Sequence, residues 1–409
     1  MSTVTQETPK KPARVNLRRP GIMEAVHAQV ENHYRSLIIE RLRERGNVLS
    51  AAGLTVRLAK EFGFCYGVER AIDLAYAARK VFPDQPIYIL GEIIHNPAVN
   101  DQIKAMEVKF LSGKYKEASI EDLKEGDVVI IPAFGAEVET MKQLEAKGCQ
   151  LVDTTCGDVM SVWKRVRQYA TETVTSIIHG KAWHEETLAT SSRARGNGTG
   201  KYLVVYDLAE TDYVCNAIRN GVNTQEFMEK FKGAMSPDFD PEKDLTAIGV
   251  ANQTTMLRGE TEEVQRRLKQ AMIDRYGTET LNQHFRFFDT ICGATQERQD
   301  ALTHLLKEPL DMMIVVGGYN SSNTSHLAEM SEQRVPTYFI KDASKIVSDK
   351  VIEHYYLKQK EEVCTDNWLP GGTLYIGVTA GASCPNNLID ETIRRLFELR
   401  GISVDDLLR

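Results

Sequence analysis

Apolar and polar positions follow two rhythms along this chain. Residues 22–45 carry Met23, Val26, Val30, Tyr34, Ile38 and Leu42 at helical spacing, which predicts one amphipathic helix packed on the outside of the body. From residue 54 onward, short apolar runs end in polar turns and give way to helical periodicity. The first three runs lie at Thr55–Leu58, Ile87–Leu90 and Val128–Ile131. A second set lies near Gln150–Val152, Val174–Ile178, Tyr202–Tyr206 and Ala247–Val250, and a third near Phe285–Phe288, Met312–Val316, Thr337–Ile340 and Leu374–Val378. The first helix of the series places Val68, Ile72, Ala75 and Ala78 on one face. Such alternation predicts an α/β fold of mainly parallel sheets covered by helices. Three small α/β domains are expected at 51–149, 150–283 and 284–409, after an arm and helix over 1–50. The span Thr187–Leu245, with its Ser191–Gly198 run, reads as an exposed insertion.

Length agrees with several domains, since 409 residues exceed one ordinary core. No apolar run approaches the roughly 20 residues of a membrane helix, so a membrane-spanning protein is not expected. A formal net charge of -7 argues against a nucleic-acid surface as the main function. Residues 1–20 read as a disordered arm carrying Lys10, Lys11, Arg14, Arg18 and Arg19, without the apolar core of a signal peptide. A reducing, cytoplasmic setting is therefore expected, with the plastid stroma as the alternative.

In open parallel sheets, ligands collect at the carboxyl ends of strands. The loops expected there hold Cys65, His95, Cys156, His179, His184, Glu186, Thr254, Cys292, Asn320–Asn323 and Ser383. Of the seven cysteines, Cys149, Cys215, Cys364 and Cys384 read as ordinary small apolar residues. Cys65, Cys156 and Cys292 differ. Each follows a strand and opens a helix, where free amides favour a thiolate, and two of them share the pattern D-T-x-C-G. Three such thiolates could hold an iron-sulfur cluster or a zinc ion; with only three, one iron of a 4Fe-4S cluster stays open. His184 and Glu186, read as loop residues, suit proton delivery and anion binding, though a lone His or Glu in a loop is more often solvated. Gly317–Asn323 opens a helix with hydroxyls and an amide that suit a phosphate, a weak pattern because Ser and Asn also cap helices.

Several motifs in a fixed order carry a resemblance: GFCYGVERAI, GEIIHNP, DTTCG, HGKAWHEET, NQTT, DTICGATQERQ, NSSNTSHLAE and TAGAS. Over about residues 54–390 the chain resembles the 4-hydroxy-3-methylbut-2-enyl diphosphate reductase family in its plastid and cyanobacterial form. The resemblance implies a pseudo-threefold trefoil around one 4Fe-4S cluster held by three cysteines, Cys65, Cys156 and Cys292. It implies a diphosphate pocket of His95, His184, Ser321, Ser322, Asn323 and Ser383, a proton-delivering Glu186, and Thr254 placing the substrate hydroxyl. It further implies a two-electron reductive dehydroxylation giving isopentenyl and dimethylallyl diphosphate, with ferredoxin as electron donor and the basic arm Lys10–Arg19 as its candidate dock. His179 matches the first histidine of the family's H-x-x-H-P-E run, but here the spacing is longer and Glu185 stands in place of proline. Phe134 stands where many bacterial members carry a second diphosphate-binding histidine. The competing readings are a non-enzymatic iron-sulfur redox sensor and a zinc hydrolase with a three-cysteine site.

Overall fold

Residues 17–288 and 290–407 are described by the computed structural model, so most of the basic arm, including Lys10, Lys11 and Arg14, lies outside the described residues. Three sheets carry the fold, each covered by helices. In the first, Val108–Phe110, Ile87–Ile89, Val128–Ile131 and Gln150–Asp153 lie side by side in that order, all parallel. Ile87–Ile89 and Val128–Ile131 are buried at every position, as central parallel strands with both faces covered must be. The second sheet runs Phe285–Phe287, Ile248–Asn252, Thr175–His179, Tyr202–Val205, again parallel. The third runs Val48–Ala51, Leu54–Leu58, Leu374–Ala380, Met312–Val316, Thr337–Ile340, with only its first strand antiparallel. A hairpin of Val351–Tyr356 and Glu361–Asp366 stands apart. The mainly parallel α/β architecture is thus as expected, while the hairpin and the strands Val48–Ala51 and Val108–Phe110 were not read from the sequence.

The sheets divide the chain differently from the expected bounds 51–149, 150–283 and 284–409. Leu54–Leu58, which leads to Cys65, pairs with Leu374–Ala380 in the last sheet. Gln150–Asp153, which leads to Cys156, is the edge of the first sheet, and Phe285–Phe287, which leads to Cys292, is the edge of the second. Every cysteine turn is therefore the point where the chain leaves one sheet for the next unit. Three such hand-overs in a cycle give the pseudo-threefold arrangement.

Two further expectations need correction. The amphipathic segment 22–45 is two helices, Pro20–Tyr34 and Leu37–Glu44. Arg35 is extended and the Ser36 hydroxyl accepts from the Ile39 amide, starting the second helix afresh. The break lets one apolar stripe serve two cores: Val26, Val30 and Tyr34 pack with the first sheet, Ile38 and Leu42 with the third. The span Thr187–Leu245 is an ordered part of the second unit, with helices Leu208–Asn220, Thr224–Lys230 and Pro241–Asp244 beside Tyr202–Val205. Its Phe227, Phe231 and Phe239 are buried in that unit's core. Ser191, Arg193 and Ala194 are likewise buried, at the end of the helix Glu185–Ala194. Among the described residues, no helix is long and apolar enough to cross a membrane.

Candidate active site

Cys65, Cys156 and Cys292 each occupy the residue before a helix: Tyr66–Val81, Gly157–Thr171 and Gly293–Leu305. All three are in extended conformation, so their sulfurs sit at the positive ends of helix dipoles among free amides. The amides of Asp158 and Val159 serve the Cys156 sulfur and that of Thr295 serves Cys292. Burial nonetheless pushes both thiols up, Cys292 to about 12 with help from the Asp158 carboxylate, and the nearby Cys65 raises each further. A Cβ at position 67 would lie 2.6 Å from Cys156 Sγ and 3.9 Å from Cys65 Sγ, so only glycine lets these two turns meet. Three converging thiols that repel one another's charge, with amides aimed at sulfur, form a donor set for a soft cation. These residues fit an iron-sulfur cluster held by three cysteines. Of the other cysteines, Cys149, Cys215 and Cys384 are buried in the cores and Cys364 is exposed.

A ring of arginines holds the three turns together. Arg70, on the Cys65 helix, donates to the carbonyls of Thr154 and Thr155 before Cys156. Arg165, on the Cys156 helix, lies 3.8 Å from the ring centre of Phe288, which precedes the Cys292 turn. Arg298, on the Cys292 helix, closes the cycle with bonds to the Gly63 carbonyl at 2.7 Å and the Phe64 carbonyl at 3.1 Å. Arg298→Met keeps the packing but strands two carbonyls. It is expected to lower unfolding stability by about 2–3 kcal/mol, read as a shifted denaturant midpoint; an unchanged midpoint would remove the clamp.

Glu186 is not in a loop, as first expected, but in the first turn of Glu185–Ala194, with His184 as the residue before the helix. The His184 Nδ1 accepts the Glu186 amide at 3.1 Å, so its Nε2 carries the proton and is a donor. Burial pushes this imidazole down and keeps it neutral. The Glu186 carboxyl, 2% exposed, is pushed up to about 7 by burial, against the opposing pull of two bonds from Thr254. Its Oε1 accepts the Thr254 amide at 2.6 Å, and its Oε2 lies 2.9 Å from the Thr254 hydroxyl. Because Oε1 is committed as an acceptor, the acid proton belongs on Oε2, facing that hydroxyl.

The polar residues form one connected wall. Ser321 caps Ser322–Glu332, accepting the Thr324 amide, and its hydroxyl lies 3.2 Å from that of Ser383. Ser383 in turn reaches the His95 carbonyl at 3.4 Å, and the His95 and His184 rings stand edge to face at 5.2 Å. Asn323 Oδ1 accepts the Ala382 amide. Among the described residues, the buried Ser322 Oγ and Asn323 Nδ2 have no hydrogen-bond partner, and His95 Nε2 makes none of good geometry, meeting only the Glu185 carboxylate at 3.4 Å. Orphaned groups of this kind are costly unless a ligand satisfies them.

Phe134 stacks on His95 at 4.3 Å. The turn that aims it needs Gly135, whose φ is +81° and whose Cβ would lie 2.3 Å from Trp163. Burial works against charge on His95, but Glu185 and Glu92 outweigh it and raise its pKa to about 9. Outside the two histidines a vestibule of about 780 Å³ opens between all three units, lined among others by Lys114, Lys181, Glu185, Tyr319 and Lys360. Glu92, Lys181 and Asp158 were not singled out from the sequence; only their places beside His95, His184 and Cys156 could have pointed to them. His179 turns away: its Nδ1 meets Thr261 Oγ1 at 2.8 Å, and burial, then His326, lowers its pKa to about 4.

Fold and site together define a class: an α/β protein of three mainly parallel sheets that closes three helix-capping thiols beside a buried acid and a wall of polar side chains. Residues 56–397 match the family model described as LytB protein, and the chain belongs to that family. It is 48% identical over 384 residues to a 4-hydroxy-3-methylbut-2-enyl diphosphate reductase of Thermosynechococcus vestitus, covering 94% of each chain. Similar identity, 48% over 381 residues and 93% of each chain, relates it to the enzyme of that name from Trichormus variabilis. A solved structure of (E)-4-hydroxy-3-methyl-but-2-enyl diphosphate reductase, the terminal enzyme of the non-mevalonate pathway, aligns with a TM-score of 0.51 at 28% identity, over 84% of this chain and 99% of that one. A Plasmodium falciparum structure, an E-1-hydroxy-2-methyl-but-2-enyl-4-diphosphate reductase, aligns with a TM-score of 0.60 over 83% and 86% at 22% identity, and speaks for the fold alone.

Proposed function

We propose that this chain reduces (E)-4-hydroxy-3-methylbut-2-enyl diphosphate to isopentenyl and dimethylallyl diphosphate. The observation that carries the reading is the wall of buried polar groups, with Ser322 Oγ and Asn323 Nδ2 unpartnered and the His95 Nε2–H facing the site, next to a buried acid paired with Thr254. The reaction takes up two electrons and two protons; the C–O bond breaks, the hydroxyl leaves as water, and one proton ends on carbon. Held by Cys65, Cys156 and Cys292, a 4Fe-4S cluster would supply the electrons singly and an open iron as a Lewis acid.

The residues of the chain would do the rest. Nε2–H donors of His95 and His184, the hydroxyls of Ser321, Ser322 and Ser383 and the Asn323 amide would grip the diphosphate and fix the allylic hydroxyl near Thr254. Glu186 would hold a proton on Oε2 and pass it through the Thr254 hydroxyl to the leaving oxygen. Burial of both groups excludes water that would compete for that proton. Seven free thiols suit a reducing, cytoplasm-like compartment. Ferredoxin is the proposed donor, with the Lys10–Arg19 arm as its candidate dock.

Anaerobically purified protein should be brown, hold about four irons per chain, and consume the allylic diphosphate when given a reductant. Brown protein without turnover would favour the redox-sensor reading, and zinc in place of iron would favour the hydrolase.

A further inference from the structure

The diphosphate wall contains an anion of its own. Glu185 opens the helix Glu185–Ala194, and its carboxylate lies 3.4 Å from His95 Nε2 and 4.0 Å from His184 Nδ1. His95 is held on every other side. Glu92 takes its Nδ1 at 2.8 Å, and Phe134 covers a ring face. Its one open donor edge is Nε2, where Glu185 sits. The Glu185 side chain is 61% exposed and that of His95 8%, so the carboxylate is the partner free to leave.

A metal does not explain the cluster. Ligating atoms of His95, His184 and Glu185 do lie within 4.8 Å of one another. However, His184 Nδ1 is occupied by the Glu186 amide, which leaves a proton, not a lone pair, on Nε2. The set is built to offer N–H groups to an anion. A diphosphate and Glu185 cannot both take the same N–H, and two anions side by side repel.

We propose that Glu185 is a displaceable stand-in for the substrate's diphosphate: it occupies the donor edge of His95, keeps that imidazole ready to donate, and swings into the vestibule when a diphosphate arrives. The vestibule offers cations to receive it, since Lys181 and Lys360 line the same space as Glu185. The Lys181 charge already bears on His184. Every anion entering the site then competes with a tethered carboxylate. This deepens the reading of the site given above and rests on it.

The test is binding of inorganic diphosphate to anaerobic holoenzyme by calorimetry, comparing the natural chain with Glu185→Gln and Glu185→Ala. Charged or titratable groups around His95 are Glu92 with Lys114 behind it, His184, Glu185 and Glu186 on the neighbouring helix, and Lys181 in the turn before it. The titration is run at about pH 6, on the acid side of the ordinary imidazole range, and in every variant Glu92 remains on Nδ1 and favours a charged His95 against the effect of burial. Ionic strength of about 0.15 M limits long-range field effects to a Debye length of ~8 Å. Both variants are expected to bind diphosphate about tenfold tighter. A contact that merely supported the fold would, on removal, loosen binding, so unchanged or weaker binding in the variants overturns the proposal. Turnover of the allylic diphosphate by the natural chain, measured alongside, separates the two readings. Turnover without tightening sinks the stand-in alone, and tightening without turnover sinks the reductase alone.

Discussion

Glu186→Gln is expected to lose turnover by roughly 10²- to 10⁴-fold while keeping the cluster and the affinity for substrate. The amide oxygen can still accept the Thr254 amide where Oε1 does at 2.6 Å, so the shape of the site survives. The Nε2 that replaces Oε2 can donate a hydrogen bond to the Thr254 hydroxyl but cannot give up a proton near neutral pH. Burial is what makes the natural residue an acid, raising its pKa to about 7 against the two Thr254 bonds and the His95 charge that favour the carboxylate. The sign follows: the active form is protonated, so kcat/KM should be level below about pH 7 and fall above it. In the variant that falling limb should vanish along with the rate. Near-normal turnover in Glu186→Gln would remove proton delivery from this residue.

The second large effect concerns the thiols. Cys65→Ser, Cys156→Ser and Cys292→Ser are each expected to abolish the brown absorbance and all turnover. Serine keeps the size of the side chain but is a far poorer ligand for iron than a thiolate. No spare thiol is placed to substitute: Cys149 and Cys384 are 1% and 0% exposed in separate cores, and Cys215 lies in a third. Cys149→Ser is the control and should stay brown. Full absorbance in any of the three test variants would mean the ligand set is different.

Which parts of this were legible in the sequence depended on how local the signal was. The face Val68, Ile72, Ala75 and Ala78 is buried as its spacing predicts, because a helix writes its packing within four residues. The cysteine turns were legible for the same reason, as a strand, a cysteine and a helix in immediate succession. Which sheet each strand joins was not. Leu54 pairs with Leu374, and nothing near residue 54 records a partner so far along the chain. The errors at 22–45 and 187–245 were of another kind. Their signals were present, in Ser36 and in Asp207 with Glu210, which start new helices through their own side chains. They were outweighed by a continuous apolar stripe in one case and a polar composition in the other. Glu185 was noticed as a departure from proline. Its contact with His95 depends on two units meeting and could not be read from spacing.

The hand-over of strands between sheets has a consequence for how the protein is made. The Cys65 amide bonds the Ala382 carbonyl, and the strand before Cys65 lies against Leu374–Ala380. Although Cys65 is the first of the three proposed ligands to leave the ribosome, its final position is defined only by residues that emerge more than 300 positions later. Cys156 and Cys292 must therefore wait for almost the whole chain before a third thiol can join them. Loading of the proposed metal centre is, by this geometry, an event of the finished polypeptide.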